Sequence, residues 1–287
     1  MTDRLPVLGI DIGGSKIAVG LVDTDGRLLD RAQAATPAAD GRAEILATAT
    51  RLADEVTAGR PIAGIGIGSG GVISGGVVVA GTSMLAGWVG TDLVRYFTES
   101  TGAGRVAVVN DVHAHGVGEA WVGAGAGMDC VLVVAVGTGL GGVVVDHGRP
   151  LVGAHGVAGH LGHITSAAAT GLPCGCGADG HLEAISSGYG LVQLYRSLGG
   201  DPVLLTAQDI AGRADRDRSA DEAVRRSAAA LGAALGDLIN IIDPDVVIIS
   251  GGLTGAGPVW WQQVRAAASS AALPVVSGTP ILPSALG

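Results

Sequence analysis

The first stretch of the chain that could do chemistry is a glycine-rich turn, Gly13-Gly14-Ser15-Lys16, which lies between apolar segments at 7–10 and 17–22. Paired glycines permit positive φ and let a ligand approach the backbone closely. Backbone N–H groups, a hydroxyl and an ammonium together suit a phosphate group. Asp11, just before the turn, could hold Mg²⁺ through water. The alternative is an ordinary hairpin that uses glycine for turn geometry alone.

The cation in this turn is unusual for the chain, because Lys16 is its one lysine and every other basic residue is arginine. Lysine acts as a mobile point charge, whereas arginine acts as a rigid fork. The exception therefore favours a chemical role for Lys16.

Two later stretches also bear chemical groups. Asn110-Asp111 directly follow an apolar segment at 105–109, and GTGLGG at Gly137–Gly142 repeats the strand–glycine turn–strand pattern of the N-terminus. Ligands in open α/β sheets lie beyond the carboxyl ends of strands, so Asn110 and Asp111 are well placed for chemistry. Glycine turns that bind phosphate are expected at both repeats.

The elements that must position these groups alternate along the chain. Apolar spacing predicts strands at 62–68, 105–109, 130–136 and 245–250, and helices at 43–58, 93–100, 112–121, 184–198 and 220–242. This alternation is typical of an α/β fold. The repeated turn predicts two related domains, 1–115 and 116–287; the alternative is two unrelated glycine-rich hairpins.

The composition limits the class of protein. With 287 residues, 48% hydrophobic and 15% charged, the chain is expected to be globular. A net charge of −9 argues against nucleic acid as a partner. Three cysteines, two of them in one short motif, do not form a disulfide framework and favour a reducing compartment. No signal peptide and no apolar run of about 20 residues is recognised, so we expect a cytoplasmic protein without a membrane partner.

Taken in order, five motifs resemble the ROK family of sugar kinases and sugar-responsive repressors. They are DIGGSK at Asp11–Lys16, ND at Asn110-Asp111, GTGLGG at Gly137–Gly142, GVAGHLGH at Gly156–His163 and CGCGADGHLE at Cys174–Glu183. The resemblance covers residues 7–252. It implies an actin-like (ribonuclease H-like) α/β fold with two domains and an inter-domain cleft for ATP and a hexose. It also implies a homodimer, and a final helix that we expect this chain to lack.

The resemblance assigns roles by position. Asp111 would be the catalytic base that takes the proton from the sugar's 6-hydroxyl, with ATP and Mg²⁺ as cofactors. The residues that would bind the sugar are Gly70, Gly71, Asn110, Asp111, His160, His163 and Glu183. The residues that would bind ATP are Asp11, Gly13, Gly14, Ser15, Lys16, Gly137, Thr138, Gly139, Gly141, Gly251 and Gly252.

A structural zinc site is also implied, because family members with this segment hold Zn²⁺ through one histidine and three cysteines. Here His163, Cys174 and Cys176 match, and His181 stands at the third cysteine position. Histidine is a good zinc ligand, so a Cys₂His₂ tetrahedron is chemically sound and we expect zinc to bind. The alternative is a lost site in a loop held by hydrogen bonds.

The sugar is indicated by His160, which stands where glucokinase-type members carry Glu. A histidine there resembles bacterial N-acetylmannosamine kinases. An imidazole can donate a hydrogen bond to an acetyl carbonyl, which a carboxylate cannot. The alternative is that His160 merely fills space in a glucose site.

The sequence therefore predicts an ATP-dependent sugar kinase that acts on N-acetylmannosamine, with glucose or N-acetylglucosamine as alternatives. The competing class is a sugar-responsive transcriptional repressor. Such repressors carry a helix-turn-helix before the first hairpin, whereas six residues precede Val7 and the chain is acidic. We expect the repressor alternative to be wrong. A sugar-binding protein without catalysis is disfavoured by Asp111, Lys16 and both glycine turns.

Overall fold

A computed structural model describes residues 5–81 and 85–286. In it the chain divides into two units. The first unit contains the residues up to His115 together with Val152–Val157, and the second contains Gly116–Leu151 and the residues from Ala158 onward.

The first unit is built on a five-stranded mixed sheet and a small hairpin. In chain order its strands are β1 (Val7–Ile12), β2 (Lys16–Val22), β3 (Leu28–Ala35), β4 (Ile65–Ser69), β5 (Val72–Ser74), β6 (Val77–Ala80) and β7 (Val106–Asn110). The large sheet has the order β3-β2-β1-β4-β7. β1 to β3 pair antiparallel, whereas β1, β4 and β7 pair parallel. The small hairpin is formed by β5 and β6.

Three helices follow: α1 (Arg42–Thr57) comes after β3, α2 (Leu93–Thr101) after the small hairpin, and α3 (Asp111–Val122) after β7, with its residues from Gly116 onward in the second unit. α1 buries Ile45, Ala49 and Leu52, whose spacing of three and four residues places them on one helix face. Together with the buried faces of β1, β2 and β4 they form the core of this unit.

The second unit repeats the plan of the first sheet. Its strands are β8 (Cys130–Val136), β9 (Leu140–Asp146), β10 (Arg149–Pro150), β11 (Val246–Ser250) and β12 (Ile281–Pro283). They have the order β10-β9-β8-β11-β12, antiparallel from β10 to β8 and parallel from β8 to β12. Strand order and direction therefore match those of the first sheet.

The helices of the second unit are α4 (Glu183–Ser186), α5 (Gly188–Ser197), α6 (Ala207–Ala211), α7 (Arg218–Ile242) and α8 (Pro258–Ala271). Short 3-10 turns occur at Leu161–His163, Ala167–Ala169 and Gly252–Ala256. α7 and α8 pack closely because Gly232 and Gly236 face α8; a Cβ on Gly236 would lie 2.6 Å from the Ala268 carbonyl oxygen.

The single helix predicted over 184–198 is wrong, because the backbone breaks at Ser187. Ser187 has extended backbone angles, φ −84° and ψ 169°, and its Oγ accepts a hydrogen bond from Gly190 N at 2.9 Å. A serine in this role is an N-cap, which starts a new helix. α5 therefore begins as a new helix at Gly188.

Within residues 5–81 and 85–286, no helix combines the length and the apolar character that crossing a membrane requires.

Candidate active site

The first glycine turn joins β1 to β2 in a tight hairpin in which Ile12 lies opposite Ile17. Gly13 N donates to Lys16 O at 3.0 Å, which closes the turn. Thr36, just after β3, secures it from the side: its Oγ1 donates to Gly13 O at 2.7 Å and its N donates to Ser15 O at 3.0 Å. The turn is thus fixed through its carbonyl groups.

The carboxyl ends of β1, β4 and β7 meet at one edge of the first sheet. Asp11 pairs with Gly68, and Ser69 pairs with Asn110. A Cβ built on Gly70 would lie 3.9 Å from Asp111 Oδ2. The structure therefore gathers Asp11, Gly70 and Asp111, which the sequence predicts as site residues, at one edge.

Asn110 ties the glycine loop after β4 to the start of α3. Its Nδ2 donates to Gly71 O at 3.0 Å, and its Oδ1 accepts from Val112 N at 3.0 Å. Gly71 has φ +104°, and a Cβ there would lie 2.6 Å from the Ala80 carbonyl oxygen. Only glycine fits this position, so the backbone at 70–71 is held close to Asp111.

The carboxyl group of Asp11 at this edge is affected by its neighbours. Partial removal from water and the charge of Asp111 raise the pKa of Asp11, while the Lys16 ammonium opposes the shift. Two carboxylates beside one ammonium form a negatively charged site, which suits a hydrated divalent cation.

The second glycine turn joins β8 to β9, with Val136 opposite Leu140 and Gly137 N donating to Gly139 O at 3.0 Å. Gly141 lies within β9 opposite Ala135. Gly137, Thr138 and Gly139 therefore form the turn itself, and Gly141 lies beyond it in the strand.

A pocket of about 550 Å³ opens beside this turn. Its lining includes three residues predicted from the sequence to bind ATP: Gly137, Thr138 and Gly252. The neighbouring Gly251 has φ +91°, and a Cβ there would lie 2.5 Å from Val136 O. This close approach of 251–252 to the end of β8 forms one side of the pocket.

The rest of the pocket wall was not predicted from the sequence. Tyr189, Gln193 and Arg196 line it from α5, and Gln208 lines it from α6. Their spacing on α5 places the first three on one helix face. This spacing is visible in the sequence, but a mixed aromatic and polar helix face is also typical of ordinary solvent exposure.

The predicted zinc ligands converge. One ligand atom from each of His163, Cys174, Cys176 and His181 lies within 4.8 Å of all the others. Cys174 Sγ is 3.6 Å from His163 Nδ1, and Cys176 Sγ is 3.3 Å from His181 Nδ1. Tetrahedral zinc bonds to sulfur and nitrogen imply a separation of about 3.5 Å between the two ligand atoms. The donor set and its geometry therefore fit Zn²⁺.

The loop that bears the cysteines is preformed by its own backbone. Cys174 N donates to Ala178 O at 2.8 Å, and Gly177 N donates to Cys174 O at 3.0 Å. These local bonds fix the backbone of the segment that bears the two cysteines, Cys174 and Cys176.

The ring of His160 lies beside the ring of His163, one of the predicted zinc ligands. The rings of His160 and His163 are stacked, with centroids 6.2 Å apart, and His163 meets His181 edge-on at 5.4 Å. His160, predicted to bind the sugar, is thus placed by the segment that contains the metal ligands.

Glu183, also predicted to bind the sugar, lies between the cluster and the second glycine turn. Its Oε2 accepts from Leu140 N at 2.9 Å, and its Oε1 is 3.9 Å from Cys174 Sγ. The Glu183 carboxylate therefore lies against both the second glycine turn and the cysteine and histidine cluster, which belong to different sequence motifs.

A model of the ROK family matches residues 7–286. A glucokinase from Thermotoga maritima is 31% identical over 96% of this chain and 91% of its own length. An N-acetylmannosamine kinase from Shigella flexneri is 33% identical over 86% of this chain and 83% of its own. A crystal structure of a ROK family glucokinase from Streptomyces griseus, in complex with glucose and AMPPNP, has a TM-score of 0.78 at 28% identity, covering 98% of this chain and 95% of the other.

Proposed function

Since this chain belongs to the ROK family and is an ATP-dependent sugar kinase with the actin-like fold of that family, we propose that its substrate is a hexose or an N-acetylhexosamine. The kinase is proposed to phosphorylate the 6-hydroxyl of this sugar and to prefer N-acetylmannosamine. The observation that carries the choice of sugar is His160, whose ring stacks on that of His163. The glucokinase and N-acetylmannosamine kinase relatives support the wider class of substrate.

The nucleotide is proposed to bind in the pocket of the second unit. Its glycines at 137 and 252 leave the backbone open to a ligand, and Arg196 and Gln193 offer donors along α5. Phosphates are expected at backbone N–H groups of the second turn, because consecutive N–H groups in a turn form a concave anion site. The first turn, with Ser15 and Lys16, is proposed to bind phosphate in the same way.

Asp111 is the proposed general base. One of its oxygens, Oδ1, accepts from Val112 N at 2.9 Å. The other, Oδ2, faces Gly70 and is the oxygen to which we assign the proton of the sugar hydroxyl. As that proton leaves, the hydroxyl oxygen forms a bond to the γ-phosphorus and the bond to the β–γ bridging oxygen breaks, which releases ADP.

Phosphoryl transfer depends mainly on positioning and on neutralising charge. Mg²⁺ would supply that neutralisation when bound with ATP, and Asp11 is the residue proposed to hold it through water. Asn110 keeps the loop at 70–71 in place through its bond to Gly71 O. The loop at 70–71 is therefore already in place beside Oδ2 of Asp111, the proposed base.

Zinc would be held by His163, Cys174, Cys176 and His181. It would supply a cross-link that fixes the loop and thereby the position of His160, and the phosphoryl transfer itself is assigned to other residues. An imidazole at position 160 can donate to the acetyl carbonyl of a C2 acetamido group. His160 is exposed in the structure, and a bound sugar would cover it. A covered polar group left without its partner is costly, so a change from acceptor to donor changes which C2 substituent is tolerated.

The test is a coupled ADP-release assay with Mg-ATP and glucose, mannose, N-acetylglucosamine or N-acetylmannosamine. We expect N-acetylmannosamine to give the highest kcat/KM, and Asp111→Asn to lower kcat by at least about 100-fold, as loss of a general base does. His160→Glu is the matched variant and is expected to shift the preference toward glucose.

Each alternative has its own outcome in this assay. Preference of the unmodified protein for glucose would contradict the argument from His160 and leave a glucokinase. No turnover with any sugar, combined with specific DNA binding, would favour the repressor alternative, against which the net charge of −9 argues.

A further inference from the structure

We infer that Glu183 is a positioning residue for the second glycine turn and thereby controls nucleotide affinity, in addition to any contact with sugar. The inference rests on the proposal that this turn binds the phosphates of ATP. It is carried by the hydrogen bond from Leu140 N to Glu183 Oε2, at 2.9 Å, which connects residues 43 positions apart.

The turn is fastened at both ends by one segment of the second unit. Leu140, whose N–H donates to Glu183, directly follows Gly139 at the far end of the turn. At the near end, Gly188 N donates to Gly137 O at 2.8 Å. Residues 183 and 188 lie on either side of the break at Ser187. The same few residues therefore set the separation of the two ends of the turn.

Gly139 has no side chain at the point where Glu183 approaches the turn. A Cβ on Gly139 would lie 2.8 Å from Glu183 Oε2. This distance is too short for a Cβ and a carboxylate oxygen, so the carboxylate fits against the turn only because residue 139 is glycine. The turn and the carboxylate thus form one complementary contact.

The second oxygen of Glu183 faces the cysteine and histidine cluster, 3.9 Å from Cys174 Sγ. Cys174 is buried, and its loop is fixed by the backbone bond to Ala178 O. The side chain of Glu183 is therefore bonded to the turn through one oxygen and lies beside the cluster with the other. A change in the cluster is expected to reach the nucleotide through this carboxylate.

A role confined to the sugar makes a different prediction from a role in positioning the turn. If Glu183 contacts only sugar hydroxyls, its replacement leaves the binding of ADP alone unchanged. If it fixes the turn, its replacement weakens ADP binding when sugar is absent. The side chain amide of glutamine retains an acceptor oxygen, so Glu183→Gln keeps the bond to Leu140 N whereas Glu183→Ala loses it.

The experiment is a calorimetric titration of ADP, without sugar, into the unmodified protein and into Glu183→Ala, Glu183→Gln and Glu222→Ala. Glu222 lies on α7, pairs with Arg226 at the exposed surface, and controls for the lost charge. Because a hydrogen bond to a charged acceptor is lost, we expect Glu183→Ala to raise the Kd for ADP by about tenfold. Glu183→Gln is expected to stay within about twofold of the unmodified protein.

Equal Kd values for Glu183→Ala and the unmodified protein would overturn this inference and leave the proposed kinase intact. Failure of the unmodified protein to bind ADP would overturn the proposed nucleotide site together with the inference. Equal weakening in Glu183→Gln and Glu183→Ala would also contradict it, because the acceptor would then not be what matters.

A second measurement keeps the inference open to refutation if Glu183→Ala does not fold. Gly139→Ala alone is expected to weaken ADP binding, because its Cβ displaces the Glu183 carboxylate. Glu183→Asp, whose shorter side chain is not expected to reach Leu140 N, should weaken ADP binding too, and Gly139→Ala/Glu183→Asp should be little weaker than either single variant, because both changes lose the same contact. Fully additive losses would show that the two residues act independently, against the inference.

Discussion

Gly251 gives a direct test of how the proposed nucleotide pocket is built. It follows β11 with φ +91° and ψ 174°, a backbone region that is essentially restricted to glycine. A Cβ there would lie 2.5 Å from Val136 O and 2.6 Å from Val136 C. Val136 is the last residue of β8, directly before the second glycine turn. Gly251→Ala therefore strains its own backbone and presses on the strand that leads into the turn.

The magnitude follows from these two effects. Backbone strain in this region costs about 1–3 kcal/mol. The contact with backbone atoms of Val136 cannot be relieved by rotating a side chain, so a shift of β8 or of 251–252 adds to that cost. We expect the free energy of unfolding to fall by about 2–4 kcal/mol, within the range of severe single substitutions. We also expect the Kd for ADP to rise by at least about tenfold, since 1.4 kcal/mol of lost binding energy suffices for that.

The assay is urea denaturation followed by circular dichroism, with calorimetric titration of ADP on the same preparations. Gly255→Ala is the matched control: Gly255 lies in the same 3-10 turn, and a Cβ there has no heavy atom within 4 Å among the described residues. The reasoning is refuted if Gly251→Ala and Gly255→Ala have the same denaturation midpoint and the same affinity for ADP.

Two further predictions concern the cluster and the first turn. His181→Ala is expected to lower the zinc content measured by atomic absorption and to lower Tm by about 5–10 °C, because zinc at about 100 times its Kd stabilises the fold by about 2.7 kcal/mol. His181→Cys should retain zinc. Equal zinc content in the two variants would contradict the role of His181 as a ligand. The pKa of Asp11 is raised, mainly by desolvation and then by the charge of Asp111, so the ionised carboxylate destabilises the fold. The free energy of unfolding therefore falls as the pH rises from 3.8, the ordinary pKa of the group, through its raised pKa in the folded protein. Asp11→Asn should therefore raise Tm at pH 7 relative to the unmodified protein and leave no gain below pH 3.8; an equal gain at both pH values would contradict this cause.

Structural elements that depend on a pattern of residues close together in the chain could be predicted from the sequence. The two glycine turns, the strand ending at Asn110 and the long helix that became α7 depend on short-range patterns of apolar residues and glycine. The convergence of the predicted zinc ligands was also accessible, because Cys174, Cys176 and His181 lie within one short loop. In these places the residues that decide the structure are neighbours in the chain.

The wall of the proposed nucleotide pocket could not be predicted in this way. Tyr189 and Arg196 line the pocket from α5, which begins after the break at Ser187. Apolar periodicity continues through 184–198, so it gives no sign of the break; the N-cap serine does, but serines are also common inside helices. The position of Gln208 depends on where α6 packs, which is decided by contacts between distant parts of the chain.

The geometry of Glu183 changes how the sugar and nucleotide motifs should be understood. Motif comparison assigns Glu183 to the sugar and Gly139 to the phosphates, yet the carboxylate and the glycine are in direct contact within the second unit. A substitution in either motif must therefore change the environment of the other. On the proposal that Glu183 positions the phosphate-binding turn, a sugar that withdraws its carboxylate from Leu140 N weakens nucleotide binding, and because binding couplings are reciprocal the nucleotide weakens that sugar by the same factor. A sugar that leaves the hydrogen bond in place has no such effect. The sign of the coupling between sugar and ADP therefore distinguishes substrates by how they bind Glu183.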